Sequence, residues 1–350
     1  MIRENTKKIK VGNIFIGGNN HVIIQSMCNI KTEKVDQVVN QILEMEKEGL
    51  ELIRVSVLDF KDAEAIKDIK QRIHIPIVAD IHYDYRLAIK SIESGADKIR
   101  LNPGNLKNEE EIIQVIDTCK KYNIPIRIGV NSGSIDPKLV EENNNKVTVD
   151  LLLKSLDKYI EIFKKHDFDN LILALKSSNP IDTLEAYRLA SKKYHYPLHI
   201  GVTETSYKDI GLIRSCVALA PLLLEGIGNT IRISLSDDPI EEVRACKRLL
   251  HEVGLYDYYT LISCPMCGRA NANIMEISRK VDAFLQKQNK ILTVAVMGCV
   301  VNGIGEGKQA DIGFAFNNST TCTIFIKGKV IGTCHPDEVV NVLSKHIYSI

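Results

Sequence analysis

Three cysteines and one glutamate in the last third of the chain have the residue types and spacing of a metal or cluster site. Cys264 and Cys267 form a CxxC motif, and Cys299 follows a predicted strand and precedes a glycine-rich bend that reaches Glu306. A zinc ribbon needs a second CxxC motif, which the sequence lacks. Three thiolates fit three irons of a cubane cluster, and a carboxylate would be a more exchangeable ligand for the fourth iron.

The other cysteines leave an alternative open. The chain has nine cysteines and no apolar signal segment, which argues against a disulfide framework. An ordinary zinc site or an all-cysteine cluster site could be completed by Cys322 or Cys334. We expect the remaining four to be packing residues: Cys28, Cys119, Cys216 and Cys246.

A second set of polar residues interrupts apolar runs in the first two thirds of the chain. These residues are Arg54, Asp80, His82, Arg100, Asn102, Arg127, Asn131, Lys176, Glu204, Arg232 and Ser234. Five cations face two carboxylates in this set. Unpaired buried charge is costly, and arginine binds phosphate through two parallel hydrogen bonds. The pattern predicts a phosphorylated or diphosphate substrate, and Asp80 is placed to orient His82; ion pairs within the set or outward-facing side chains are the alternative.

Eight short apolar runs, each followed by an amphipathic stretch, must position the second set. They lie at 22–27, 52–57, 75–81, 98–103, 125–131, 171–178, 197–204 and 230–236. This alternation is typical of βα units, and eight of them predict an α/β fold with a (β/α)8 TIM barrel, whose chemistry lies at the carboxyl ends of the strands. A doubly wound sheet is the alternative, but no glycine-rich loop follows the first run. Residues 8–20 predict a hairpin that covers the barrel floor.

The alternation of predicted strands and helices ends after His251. We predict a substrate-binding TIM barrel over 1–255, a linker over 256–261 and a smaller α+β iron–sulfur domain over 262–350. The smaller domain is expected to contain a helix at 273–288, a strand at 291–297, a glycine-rich segment at 302–308, strands near 311–316, 322–327 and 329–333, and a helix near 336–347.

Composition excludes several classes of protein. The 350 residues contain 45 Lys and Arg against 44 Asp and Glu, so the net charge of +1 argues against a general nucleic-acid binder. Since no apolar stretch reaches the length of a membrane span, we expect no membrane segment and a cytoplasmic protein.

The sequence closely resembles the 4-hydroxy-3-methylbut-2-en-1-yl diphosphate synthase family in its two-domain bacterial form. The resemblance covers nearly the whole chain and rests on long motifs. They read VADIHYDYR (78–86), IRLNPGN (99–105), IPIRIGVNSGS (124–134), GVTET (201–205), EGIGNTIRISL (225–235), CPMCGR (264–269) and GCVVNGIGE (298–306).

The resemblance implies the activity and its partners. The family carries out reductive ring opening and dehydroxylation of 2-C-methyl-D-erythritol 2,4-cyclodiphosphate, with two electrons delivered through a [4Fe–4S] cluster. It implies reduced flavodoxin or ferredoxin as the electron donor. It also implies a homodimer in which the cluster domain of one subunit caps the barrel of the other. The predicted topology independently suggests the same arrangement, because the short linker leaves the barrel on the face opposite its mouth.

The resemblance also assigns the residues. It implies cluster ligation by Cys264, Cys267, Cys299 and Glu306. Diphosphate contacts are implied for Arg54, Arg100, Arg127, Lys176, Arg232 and Ser234. Further pocket residues are implied at Asp80, His82, Asn102, Asn131 and Glu204. We take Glu204 as the candidate for hydrogen bonding or proton delivery to the departing hydroxyl and Glu306 as a cluster ligand that substrate displaces.

Two positions depart from the family pattern. Ile304 stands where proline is common, which could loosen the loop that presents Glu306, and Thr205 stands where alanine is common. A competing hypothesis is a zinc-containing or Schiff-base TIM-barrel lyase or aldolase on a phosphosugar, with Lys176 as the amine. A zinc-stabilised nucleic-acid-binding tail is the third, and the near-zero charge counts against it.

Overall fold

The computed structural model describes residues 3–102, 109–135, 140–141, 143–144, 146–288 and 290–348. The chain divides into two compact units, Met1–Leu255 and Tyr256–Ile350. A strand begins at Thr260, inside the segment expected to be a linker. Pro103, Gly104 and Asn105 of the IRLNPGN motif lie outside the described residues.

The first unit alternates strands and helices after an initial hairpin. Its strands are β1 (Ile9–Val11), β2 (Ile14–Ile16), β3 (Ile23–Met27), β4 (Leu52–Val57), β5 (Ile77–Ile81), β6 (Lys98–Leu101), β7 (Ile126–Asn131), β8 (Leu171–Lys176), β9 (His199–Ile200) and β10 (Thr230–Ile231). Its helices are α1 (Val35–Lys47), α2 (Phe60–Lys70), α3 (Tyr85–Glu93), α4 (Glu109–Tyr122), α5 (Val149–Lys165), α6 (Pro180–Lys193), α7 (Lys208–Leu224) and α8 (Pro239–Glu252).

Strands β3 to β10 form the predicted barrel. They pair in the order β8-β7-β6-β5-β4-β3-β10-β9, and all of these pairs are parallel. A parallel bridge between Leu173 and Leu198 links β8 to the start of β9 and closes the circle. The eight predicted strands are therefore confirmed, and the carboxyl ends of all eight lie at one mouth.

The hairpin of β1 and β2 covers the opposite end of the barrel. Ile9 and Ile16 pack against Ile23, Leu52 and Val78, which lie at or near the first residues of their strands. Because the amino ends of parallel strands share one edge, the hairpin buries the floor of the barrel, as its apolar alternation predicts.

Short polar side chains begin the helices that follow the strands. Each accepts a hydrogen bond from a backbone N–H of the first helical turn, which would otherwise lack a partner. The capping residues are Asp59, Asp84, Thr148, Asn179 and Asp238. These caps fix where each loop at the barrel mouth turns into a helix.

The second unit is a five-stranded mixed sheet with helices on both faces. Its strands are β11 (Thr260–Ser263), β12 (Thr293–Met297), β13 (Ile312–Phe316), β14 (Cys322–Ile326) and β15 (Lys329–Cys334), and its helices are α9 (Ile274–Leu285), α10 (Val300–Glu306) and α11 (Val339–His346). The strands pair in chain order, parallel from β11 to β13 and antiparallel from β13 to β15. This confirms the α+β class of the smaller domain.

The glycine-rich segment near residue 303 is a helix rather than a bend, so that part of the prediction was wrong. Helix α10 lies on the face of the sheet that carries Ala295, Met297 and Ala315. A Cβ on Gly303 would lie 2.8 Å from the Met297 Cβ, so glycine there lets the helix approach the sheet closely. Ile304 packs on the same face, so its replacement of the family's proline leaves Glu306 at the end of a regular helix.

Candidate active site

The predicted polar residues of the first unit lie within the barrel strands or in the loops that follow them. Arg54, Asp80, Arg100, Arg127, Asn131 and Lys176 lie within β4 to β8, and His82, Asn102, Glu204, Arg232 and Ser234 follow β5, β6, β9 and β10. Since the strands are parallel, nine of these eleven positions lie at or near one mouth. Arg54, the third residue of β4, and Arg127, the second residue of β7, start deeper in the barrel.

Asp80 organises one half of this mouth. Its Oδ1 accepts a hydrogen bond from Arg100 Nη1 at 3.1 Å, and its Oδ2 lies 3.6 Å from Arg54 Nε. His82 Nε2 lies 3.6 Å from Asp80 Oδ1 and 3.1 Å from Arg100 Nη1. Burial alone would raise the pKa of Asp80, but Arg54, His82 and Arg100 together lower it below its usual range. The carboxylate therefore stays ionised and holds these three side chains together.

Arg127 and Lys176 have no such carboxylate within the described part of the chain. Arg127 is 2% exposed, and its Nε and Nη1 have no hydrogen-bond partner among the residues that the structure describes. Burial, reinforced by neighbouring cations, lowers the pKa of both side chains well below their ordinary values. An anion between these cations would satisfy the unused donors and remove the cost of burying like charges together.

Glu242, on helix α8, completes the other half of the mouth and was missed by sequence reasoning. Its carboxylate accepts two hydrogen bonds from Arg232, from Nε and Nη2, both at 2.9 Å. Glu242 lies in the first turn of α8, where acidic residues are common because of the helix dipole. Nothing in the sequence distinguished it from an ordinary first-turn glutamate.

Lys98 was also missed, although the sequence carried a signal for it. Lys98, Arg100 and Asn102 alternate along one strand, so they share a face. The Lys98 side chain is fully buried, and its Nζ lies 3.5 Å from Gln25 Oε1. Burial lowers the pKa of this ammonium well below its ordinary value. Lys98 is the first residue of β6 and lies deeper in the barrel, so only Glu242 changes the balance at the mouth, where it reduces the surplus of positive charge by one.

The loop after β9 presents Glu204 in a strained backbone conformation. Glu204 has φ +54° and Ser206 has φ +88°, in the left-handed region that non-glycine residues rarely occupy. Between them, the buried Thr205 hydroxyl donates to the carbonyl oxygen of Ser234. The departure at Thr205 therefore joins the loops after β9 and β10, while the Glu204 side chain is exposed.

Two amides complete the mouth. Asn102 is buried, and its Oδ1 has no hydrogen-bond partner among the described residues. Asn131 is the last residue of β7 and is half-buried. Both are placed to hydrogen-bond a ligand at the strand ends.

In the second unit, two of the predicted cluster ligands follow neighbouring parallel strands. Cys264 follows β11 and its N–H donates to the Val296 carbonyl at 3.0 Å, while Cys299 follows β12 and begins α10. A Cβ added to Gly298 would lie 3.4 Å from Cys264 Sγ, so this glycine leaves the space beside the thiol open. The register of β11 and β12 thus brings these two cysteines to one end of the sheet.

Arg269 interacts with Cys267 through hydrogen bonds and with Cys299 and Glu306 through charge. Its backbone and side-chain N–H groups donate to the Cys267 thiol, which lowers the pKa of Cys267. Cys267, Cys299 and Glu306 each raise the pKa of Arg269, Cys267 most strongly. Three thiols and a carboxylate are the ligand types that an iron–sulfur cluster needs. Within the described residues, no three metal-ligating side chains are already gathered tightly enough to hold a single ion.

The alternative ligands Cys322 and Cys334 lie elsewhere. They are cross-strand partners on β14 and β15, and their thiols are hydrogen-bonded to each other. Cys322 packs with the α9 and α11 side of the sheet, whereas Cys264 packs on the α10 side. Among the four cysteines expected to pack, Cys28, Cys119 and Cys246 are buried, but Cys216 is exposed, so that expectation was wrong for Cys216.

Comparison with known proteins gives the same family as the motifs. The GcpE TIM-barrel domain model matches residues 6–247, and the GcpE protein C-terminal domain model matches residues 260–349. A 4-hydroxy-3-methylbut-2-en-1-yl diphosphate synthase (flavodoxin) of Malacoplasma penetrans is 48% identical over 99% of this chain and 95% of its own length. The corresponding protein of Clostridium perfringens is 45% identical over the full length of both chains.

The chain belongs to the GcpE family of 4-hydroxy-3-methylbut-2-en-1-yl diphosphate synthases. It is therefore an oxidoreductase of isoprenoid precursor biosynthesis. None of the helices within the described ranges is both long enough and apolar enough to cross a membrane.

Solved structures add support for the fold alone. Dihydropteroate synthase of Yersinia pestis superposes with a TM-score of 0.51 and 14% identity over 70% of this chain and 98% of its own. Type I 3-dehydroquinate dehydratase of Clostridium difficile gives a TM-score of 0.51 and 18% identity over 71% and 98%. This synthase chain therefore shares a barrel with enzymes of different chemistry, and its function rests on its own side chains.

Proposed function

We propose that the barrel mouth binds 2-C-methyl-D-erythritol 2,4-cyclodiphosphate and that the chain opens its ring by two-electron reduction, releasing one hydroxyl as water. The unsatisfied guanidinium of Arg127, buried among further cations, carries this proposal. A cyclic diphosphate supplies the anionic oxygens that these donors lack.

The chain's own residues divide the work of binding. Arg54, Arg100, Arg127, Lys176 and Arg232 hold the diphosphate, with Ser234 as a further donor. Asp80 keeps Arg54, Arg100 and His82 in place, since it contacts all three. The amides of Asn102 and Asn131 orient the carbon skeleton at the strand ends.

Glu204 is the proposed proton donor to the departing hydroxyl. The hydrogen bond from the Thr205 hydroxyl to the Ser234 carbonyl oxygen fixes the loop that contains Glu204, so the Glu204 side chain projects from a fixed backbone. Proton delivery at that oxygen lets hydroxide leave as water, which lowers the barrier to C–O cleavage.

Cys264, Cys267, Cys299 and Glu306 are the proposed ligands of a [4Fe–4S] cluster. When bound, such a cluster supplies single electrons and an iron whose carboxylate ligand is exchangeable. The Arg269 side chain donates a hydrogen bond to Cys267, which raises the pKa of Arg269, and Cys299 and Glu306 raise it further. Its positive charge therefore offsets the negative charge of this ligand set.

The proposed partners are reduced flavodoxin, which the relatives' names carry, or ferredoxin, and a second copy of the chain. Large apolar side chains are exposed on α6 and α7, namely Ile181, Leu189, Ile213, Val217 and Leu224. An apolar face of this kind supports a homodimer. We place the reaction in the cytoplasm, with head-to-tail active sites.

The test of substrate binding is Arg127→Met against Arg188→Met, an exposed arginine paired with Glu225. Anaerobic turnover with reduced flavodoxin should show KM for the cyclodiphosphate raised by roughly tenfold to a hundredfold in Arg127→Met, the scale of a lost charge-assisted contact. Arg188→Met should match the wild type. An unchanged KM in Arg127→Met would refute the placement of the diphosphate.

A further inference from the structure

The Glu242 carboxylate is saturated with hydrogen bonds. Besides the two N–H groups of Arg232, Oε2 accepts from Ser26 Oγ at 2.6 Å and Oε1 accepts from the backbone N–H of Leu235 at 3.1 Å. Glu242 itself is 2% exposed. A buried carboxylate on α8 that accepts four hydrogen bonds, from β3 and from the loop after β10, has its geometry fixed from several directions.

This arrangement leaves the Nη1 group of the Arg232 guanidinium without a strong hydrogen-bond acceptor among the described residues. Nε and Nη2 donate to Glu242, whereas within the described part of the chain Nη1 has only a long contact of 3.7 Å to Met27 Sδ. Arg54 directs Nε and Nη2 at the same sulfur, at 3.0 and 2.7 Å. A thioether is a weak acceptor, so both guanidinium groups keep donors available for a stronger one.

The two guanidinium groups repel each other where they flank Met27. Arg232 is among the charges that lower the pKa of Arg54, whose burial is the larger cause and brings it to about 10. Without Glu242, Arg232 would be a largely buried cation facing a like charge, and its side chain would turn toward solvent. Glu242 therefore holds Arg232 in an orientation that it would not adopt by itself.

We infer that Glu242 is a positioning residue for phosphate recognition, because it fixes Arg232 so that Nη1 and the donors of Arg54 face one shared anion position. The inference rests on the proposed function, since it names how one side of the diphosphate site is preorganised. It places Glu242 behind Arg232 and assigns it no contact with substrate.

The test compares Glu242→Gln with Glu241→Gln, the neighbouring carboxylate that pairs with Lys208 and Arg244. Glu242→Gln puts an amide N–H group against the Arg232 donors, so KM for the cyclodiphosphate should rise roughly tenfold to a hundredfold while kcat changes less than about threefold. Glu242→Asp keeps the charge and should recover part of the lost affinity. Glu241→Gln should keep the wild-type KM.

Calorimetric titration with inorganic pyrophosphate separates this inference from the proposed function. A weaker pyrophosphate affinity in Glu242→Gln, with wild-type affinity in Glu241→Gln, supports the positioning role even if the wild type fails to reduce the cyclodiphosphate. Wild-type turnover together with unchanged KM and unchanged pyrophosphate affinity in Glu242→Gln would overturn it. If Glu242→Gln does not fold, Ser26→Ala provides a milder variant that removes only one of the four hydrogen bonds. A KM unchanged from wild type in both Ser26→Ala and Glu242→Asp would then overturn the positioning role of Glu242.

Discussion

Buried ionisable side chains without counter-charges are the main feature of this barrel at the scale of single residues. Lys98, Arg127 and His199 are all buried, and each has its pKa lowered, with burial as the largest cause. Such groups cost folding free energy unless a ligand or a change of protonation compensates. The synthase therefore gives up some stability to keep donors ready for its anionic substrate.

His199 gives this cost a pH dependence. Its Nδ1 lies 2.7 Å from Thr230 Oγ1, and burial together with Arg127, Lys176 and Lys98 lowers the pKa of the imidazole well below 6.5. The unfolded state therefore binds one proton more than the folded state below pH 6.5, and stability is lost as the pH falls. Between pH 7.5 and 5.5 this group should remove about 1.4 kcal/mol of unfolding free energy.

Urea unfolding of the barrel at these two pH values checks the expectation. His199→Gln should unfold with a smaller loss on acidification than the wild type, because glutamine cannot take up the proton. His74→Gln, at an exposed position, should keep the wild-type difference. Equal losses in the wild type and His199→Gln would show that His199 titrates normally.

At the scale of elements, glycines allow close packing between neighbouring strands and between α10 and the sheet of the second unit. A Cβ on Gly313 would lie 2.1 Å from Phe325 Cζ, far inside contact distance, because the Phe325 ring covers this glycine. Gly313→Ala should therefore destabilise the second unit by roughly 1–3 kcal/mol. Gly332→Ala, on β15, meets no atom within 4 Å and should change stability by less than about 0.5 kcal/mol.

Thermal unfolding of the two glycine variants provides the measurement. The Gly313→Ala transition of the second unit should move to lower temperature by several degrees, and the Gly332→Ala transition should stay in place. Equal midpoints for the two variants would mean that the sheet adjusts around Phe325 at no cost.

The elements differ in how far the sequence could predict them. The barrel strands were predictable because each is a short apolar run between turn signals. Helix α10 was not, since glycine has a low helix propensity and only packing against Met297 and Ala315 compensates for it. Strand β11 was missed because its four residues follow a tyrosine-rich stretch that has no strand alternation.

The site residues also divide into those that the sequence could predict and those that it could not. Charges at strand ends could be predicted because their positions follow from the barrel topology. The contact between Glu242 and Ser26 could not, since it joins residues more than 200 positions apart in the chain and depends on how α8 packs on β3. Lys98 lay within reach of sequence reasoning, because it continues the alternation of Arg100 and Asn102 by one more step.

At the scale of the whole molecule, the proposed head-to-tail dimer predicts that active sites are shared between subunits. Activity should therefore return when subunits of Cys264→Ser, which lacks the cluster, are exchanged with subunits of Arg127→Met. The assay uses a substrate concentration far below the raised KM of Arg127→Met, where that variant alone turns over little substrate. Random pairing places one intact site in each mixed dimer, so about a quarter of wild-type activity should return. No recovery, in a mixture shown to have exchanged subunits, would mean that each chain completes its own site.

The central claim is that the positively charged barrel works together with an iron–sulfur cluster held by Cys264, Cys267, Cys299 and Glu306. The most direct test is an iron and sulfide count on anaerobically purified wild type, Cys264→Ser and Cys322→Ser, with an optical spectrum of each. We predict about four irons and four sulfides per chain in the wild type and in Cys322→Ser, with loss of both in Cys264→Ser. One zinc per chain without sulfide, or equal loss in Cys322→Ser, would contradict the account.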